Sequence, residues 1–116
     1  MTLTPQPPPV LVLVRDLMFA TKITATARAA GIETRVIREA DRLANQAGDR
    51  LVVDLNQAGA IAAAAAWQRS TSRPVIGFVS HVDKETTATA RAAGLTRVVA
   101  RSYFVEHLEQ LLTDDI

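Results

Sequence analysis

The chain alternates between two hydrophobic periods. Val10-Leu11-Val12-Leu13-Val14 is an unbroken apolar run, the pattern of a strand buried on both faces. Phe19, Ile23, Ala27 and Ala30 then recur at helical spacing, and Gly31 follows as a helix stop. Thr34–Ile37 predicts a second strand. Ala40, Leu43, Ala44 and Ala47 predict a second helix, closed by Gly48. Leu51–Val53 reads as the third strand and Ala60–Arg69 as the third helix. Pro74 introduces a fourth strand, Val75–Ser80, and Asp83 is placed to cap a helix over Lys84–Ala93 that Gly94 closes. Arg97–Ala100 predicts the fifth strand. Phe104, Leu108, Leu111 and Leu112 mark the apolar face of a last helix, with Ser102 as its expected cap.

Five apolar strands alternating with five helices predict an α/β domain, a parallel sheet covered on both faces. For a chain of 116 residues the best topology is the flavodoxin-like, doubly wound five-stranded sheet of order 2-1-3-4-5. An internal echo agrees with these boundaries. The octapeptide Thr24–Gly31 recurs unchanged as Thr87–Gly94, each copy at the end of a predicted helix and shortly before a strand. Ala-rich helices meeting the same stop requirement twice account for it. Pro7, Pro8 and Pro9 keep the start extended, so residues 1–9 are expected to form a flexible Pro-rich segment, 10–112 the domain and 113–116 a tail.

Composition removes several classes of function. Hydrophobic residues make up 48% and charged residues 22%, an ordinary mixture for one globular core. The net charge of +1, with thirteen basic residues scattered singly, gives no case for nucleic acid or an anionic membrane. There is no cysteine, which excludes disulfides, thiolate-bound zinc and thiol catalysis. The longest apolar stretch, Ala60–Trp67, is too short to span a bilayer, and no hydrophobic leader follows a basic start. A cytoplasmic protein is the expectation. No glycine-rich phosphate loop follows the first strand, and Asp16-Leu17-Met18-Phe19 is too apolar and too acidic to cradle a pyrophosphate.

The candidate chemistry lies at two strand ends. Asp16 follows the first strand and Asp54 ends the third, and the 2-1-3-4-5 order brings both to the crevice at the switch point. Two carboxylates in one crevice raise each other's pKa unless a cation sits between them. Such a pair is a candidate site for a divalent metal and for phosphoryl chemistry. Asp16 reads equally well as the N-cap of the first helix. Arg15 and Arg101, at the ends of strands 1 and 5, are placed to pair with Asp54 or Asp16. His81 and His107 have no matched partners in sequence, and Trp67 is compatible with either core or surface.

With these residues in place the chain resembles a receiver domain of two-component signalling, the CheY-like fold of response regulators. The resemblance covers roughly 10–112. It implies that Asp54 is the phosphoacceptor and that Mg²⁺ is held by Asp16, Asp54 and the backbone carbonyl of Asn56. It further implies that Ser80 hydrogen-bonds the acyl phosphate and that Arg101 stands where receivers carry a lysine. A histidine kinase or a downstream target is the implied partner, docking on the fourth helix, fifth strand and fifth helix. The chain departs from the pattern at several points. Arg15 occupies the place of the first of two acids, Ser102 replaces a proline, and Val98 replaces an aromatic that moves on phosphorylation. The fourth strand runs one residue longer before its hydroxyl, which puts Val79 in the usual slot of Ser80. The expectation is therefore a stand-alone receiver-like interaction module with a degenerate phosphoacceptor site, not an enzyme. The alternatives are a working receiver phosphorylated on Asp54 with Mg²⁺ and, less favoured, a small metal-assisted phosphoryl-transfer enzyme, for which no general base stands in a recognisable motif.

Overall fold

The computed structural model describes residues 8–80 and 82–114. Its elements run β1 (Val10–Leu13), α1 (Leu17–Ala29), β2 (Thr34–Ile37), a 3₁₀ turn (Ala40–Arg42), β3 (Arg50–Asp54), α2 (Ala60–Thr71), β4 (Val75–Val79), α3 (Lys84–Ala92), β5 (Arg97–Ala100), α4 (Arg101–Glu106) and α5 (Leu108–Thr113). All strand pairs are parallel and the order is β2-β1-β3-β4-β5, the doubly wound arrangement with five helices expected from the sequence. The expected proline-rich segment falls mostly on residues 1–7, outside the described ones, as does His81.

Alternation along the strands divides the core in two. Leu11, Leu13, Leu51, Val53 and Val75 face α2, where Ala60, Ala64 and Trp67 are buried. Val10, Val12, Val52, Ile76 and Phe78 face the other way, onto Ile23 and Ala27 of α1 and Phe104, Leu108 and Leu111 of α4 and α5. The three central strands are buried on both faces, which is why they read as continuous apolar runs. The repeated octapeptide gives the same helix ending twice. Gly31 and Gly94 follow α1 and α3 with φ of 76° and 82°, a left-handed conformation that glycine adopts without steric cost.

Two helices depart from expectation, although the count of five stands. The expected second helix is a single 3₁₀ turn, after which the chain continues irregularly to β3. Trp67 explains much of this. Its side chain is 1% exposed, and its Nε1 donates to the carbonyl of Gln46 at 2.8 Å. A carbonyl tied to α2 in this way fixes the segment against the sheet, and Leu43, fully buried, fills the remaining space. Gly48 lies so close to Leu11 and Pro9 that a Cβ there would collide with the Leu11 side chain. At the other end of the chain, the expected last helix is divided at His107, whose φ of −112° interrupts it. Ser102 lies inside α4 and does not cap it; Ala100 occupies the cap position.

Arg50 is the one charged side chain buried among the described residues, at 7% exposure. It pairs with Asp49 at 3.1 Å and donates to the carbonyls of Leu111 and Asp114 at 2.9 and 2.7 Å. The guanidinium thus satisfies carbonyls at the end of α5, which a helix terminus otherwise leaves without partners. At the opposite end of the same strand stands Asp54.

Candidate functional site

Asp54 closes β3, paired in register with Phe78 of β4. The next residue, Leu55, is buried over Gly77, where a Cβ would clash with it, and its N–H donates to the Phe78 carbonyl at 3.0 Å. A bare glycine in β4 therefore lets the chain turn directly after Asp54. Asp54 as a residue is half-buried, and its Oδ1 accepts from the backbone N–H of Asn56 at 3.0 Å. That is its single side-chain bond among the described residues. Neither the Ser80 hydroxyl nor the Arg101 guanidinium reaches it.

Asp16 serves as the N-cap of α1, accepting at Oδ1 from the N–H groups of Met18 and Phe19 at 3.0 and 3.2 Å. Its Oδ2 faces Arg101 Nη2 at 3.8 Å. Arg101 is the first residue of α4, where the positive end of the helix disfavours a cation. Its guanidinium is offset from that position by lying 4.1 Å from the centroid of the Phe19 ring and 5.9 Å from that of Phe78. Beneath it Phe19, Phe78 and Phe104 form a packed trio, with Phe78 stacked on Phe104 at 4.6 Å. Face-on placement over aromatic rings stabilises a partly exposed cation by about 0.5–1 kcal/mol. Arg101 is held by Asp16 and the rings, and stays apart from Asp54.

Arg15 turns the other way and pairs with Glu39 at 3.3 Å, both side chains exposed. The expected ion pair of a strand-end arginine with the site carboxylates is thus made by Arg101 alone, and with Asp16.

Sequence reasoning missed the group that joins the loops. The Asn56 side chain accepts at Oδ1 from the Ser80 N–H at 3.0 Å and donates from Nδ2 to Asp83 Oδ2 at 2.7 Å. Asp83 caps α3 as expected, accepting from Thr86 N at 2.9 Å and Thr86 Oγ1 at 2.6 Å. These bonds, the Thr86 hydroxyl first, then the Thr86 N–H and the Asn56 amide, hold the Asp83 carboxyl below its ordinary pKa of 3.8. The signal in sequence was the pairing of a cap residue, Asp83, with an amide two residues past a strand-end aspartate. Because the folded pKa is depressed, Asp83 stabilises the fold fully above the unfolded value, and the contribution is lost as pH falls from there through the lower folded value. Thermal melts of Asp83→Ala at pH 6 and pH 3 are expected to show a wild-type advantage at the higher pH that narrows at the lower. An equal gap at both values would mean the carboxylate's charge is not what Asn56 and Thr86 respond to.

The resemblance noted in the sequence implies a divalent cation held at these strand ends, so the donor set bears on what this crevice can bind. Hard cations of this kind need several oxygen ligands. Among the described residues no three acidic or imidazole side chains come together as such a set. Asp16 has one oxygen committed to the α1 cap and the other facing a guanidinium, and the position before it carries a cation. As placed, Asp16 has both oxygens engaged and none left to share a Mg²⁺ with Asp54 and the Asn56 carbonyl, the set the resemblance implies.

No family model matches the sequence, and no curated protein matches it. The fold, in contrast, is shared with many solved structures. The receiver domain of the Francisella response regulator 1452 superposes with a TM-score of 0.75 at 19% identity, over 90% of this chain and 93% of that one. A response regulator from Burkholderia pseudomallei, solved with a phosphorylated aspartic acid, a calcium ion and citrate, gives 0.74 at 15% identity over 92% and 67%. The BeF3-activated DrrB receiver domain gives 0.76 at 14% identity over 91% and 94%. The chain has the fold of a response-regulator receiver domain. Among its described residues no helix is long and apolar enough to cross a membrane.

Proposed function

We propose that this chain is a receiver-like signalling module that acts by binding a protein partner, with its phosphoacceptor crevice degenerate. The observation that carries this reading is the commitment of Asp16: one carboxylate oxygen caps α1 and the other faces Arg101 at 3.8 Å. Arg15, in place of a second acid, pairs with Glu39. The charges that would balance a phosphoryl group and a metal are engaged with one another.

The surface of α3, β5 and α4 is the proposed contact for the partner. Between α3 and β5 lies a groove of about 310 Å³ that mixes the cations Lys84 and Arg91 with apolar Val98. β5 is an edge strand whose residues are all half-buried, so a partner can cover it without unfolding anything. Leu17, Met18 and Val82 add exposed apolar side chains at the carboxyl end of the sheet. No enzymatic turnover is assigned to the crevice.

A working receiver is the second reading. What favours it is the place of Asp54 at the end of β3, half-buried and held at one oxygen by Asn56 N, in a fold where the Burkholderia pseudomallei protein carries a phosphorylated aspartic acid. Incubation with Mg²⁺ and acetyl phosphate, followed by intact mass, separates the two. The degenerate reading expects no phosphoryl-sized increase. An increase that disappears in Asp54→Asn would overturn it in favour of the working receiver.

A further inference from the structure

In the order β2-β1-β3-β4-β5, β2 is a terminal strand and its outer edge is open. Val10 N donates to the Glu33 carbonyl at 2.9 Å, which sets the alternation of this parallel pair. Glu33, Arg35 and Ile37 direct their backbone groups to β1, and those of Thr34 and Val36 point to the open side. No strand pairs that side among the described residues. Val36 is 39% exposed there.

Beside this edge lies a groove of about 510 Å³ lined by Arg15, Arg35, Val36, Arg38, Glu39 and Arg42. Four arginines converge on it against a single glutamate, in a chain whose net charge is only +1. Glu39 engages Arg15 at 3.3 Å, and among the described residues no carboxylate is in ion-pair distance of Arg35, Arg38 or Arg42. Arg35 is braced by Gln46 Oε1 at 2.8 Å, and the same residue's carbonyl is held by Trp67. The patch is therefore mounted on the core rather than carried by a free loop.

We propose that the β2 edge binds an extended acidic segment of a partner protein, which adds a strand to the sheet and places its carboxylates among these arginines. Open backbone groups supply pairing for such a strand, and guanidinium forks suit carboxylates. A nucleic acid fits less well. No aromatic side chain lines the groove to stack on a base, and a phosphate backbone leaves the open amides unpaired. A second copy of the chain would bring the same arginines against their own kind. The surface lies on the opposite edge from β5 and does not depend on whether Asp54 accepts a phosphoryl group.

The test is an NMR titration of the ¹⁵N-labelled protein with a peptide of alternating valine and glutamate. A lysine-for-glutamate version and a single-stranded oligonucleotide of equal charge serve as comparisons. The expected result is shifts and exchange protection at the Thr34 and Val36 amides, binding that weakens at higher salt, and no response to the lysine peptide. Reversing two charges in Arg35→Glu/Arg42→Glu is expected to weaken binding about tenfold or more. Val36→Pro provides a variant that keeps every charge. It removes an outward amide, leaves the bonds to β1 in place, and is likewise expected to weaken the acidic peptide. Equal binding of both peptides, tighter binding of the oligonucleotide, shifts confined to another face, or full affinity in the folded variants would each overturn the proposal.

Discussion

Trp67→Ala is expected to lower the unfolding free energy by about 3–5 kcal/mol, the largest stability change of any single substitution at a residue bearing on the site. Trp67 is the largest fully buried side chain among the described residues. Its loss empties the space between α2 and the segment 40–49, a region with no regular helix to collapse into it. It also leaves the Gln46 carbonyl without the indole donor. Domains of this kind have only about 5–15 kcal/mol in total, so the alanine variant sits near the unfolding threshold. Trp67→Phe separates the two contributions, since it keeps most of the apolar volume and loses the Nε1 bond. It is expected to cost about 1–3 kcal/mol. Urea denaturation followed by far-UV circular dichroism reads both, because the tryptophan itself cannot be the probe. A loss below about 1 kcal/mol for the alanine variant would mean that the irregular segment holds its position without Trp67.

That segment is also where the sequence was hardest to read. Ala40, Leu43, Ala44 and Ala47 have the right spacing for an amphipathic helix, and the spacing alone cannot register that Trp67 comes from another element to claim the same space. Propensity is local, whereas the competing bond spans 21 residues. The strands were legible because each of the central ones carries an unbroken apolar run, which few other structures demand. The stops at Gly31 and Gly94 were legible for a comparable reason, since a left-handed residue is needed there. At the site, position was easier to read than partnership. Asp16 and Asp54 fall at the ends of neighbouring strands as the strand order requires. Which cation turns to which carboxylate depends on side-chain direction, and here Arg101 is drawn by the Phe19 ring and Arg15 by Glu39. Asn56 was named for its backbone carbonyl, yet in the structure its side chain links the loops after β3 and β4.

Arg15→Asp is expected to raise the affinity of the crevice for Mg²⁺ by about tenfold or more, because it exchanges a cation for a carboxylate next to Asp16. The cost to the fold is small. The Arg15–Glu39 pair is exposed on both sides, and exposed pairs contribute about 0–1 kcal/mol. The new carboxylate stands next to Asp16 in sequence, and Asp16 still caps α1 through one oxygen, so the other becomes available only if Arg101 yields it. Arg101 has an alternative attachment, since its guanidinium already lies over Phe19 at 4.1 Å. Isothermal titration with Mg²⁺ alone, on the wild type, Arg15→Asp and Arg15→Asp/Asp54→Asn, resolves the contributions. The gain should appear in the single variant and be lost in the double, which would place the bound ion between Asp54 and the carboxylates that follow β1. Unchanged affinity in Arg15→Asp would show that the arginine in the first acidic position is not what separates this crevice from a metal site. The cause would then lie with Arg101, whose hold on Asp16 would have to be broken first.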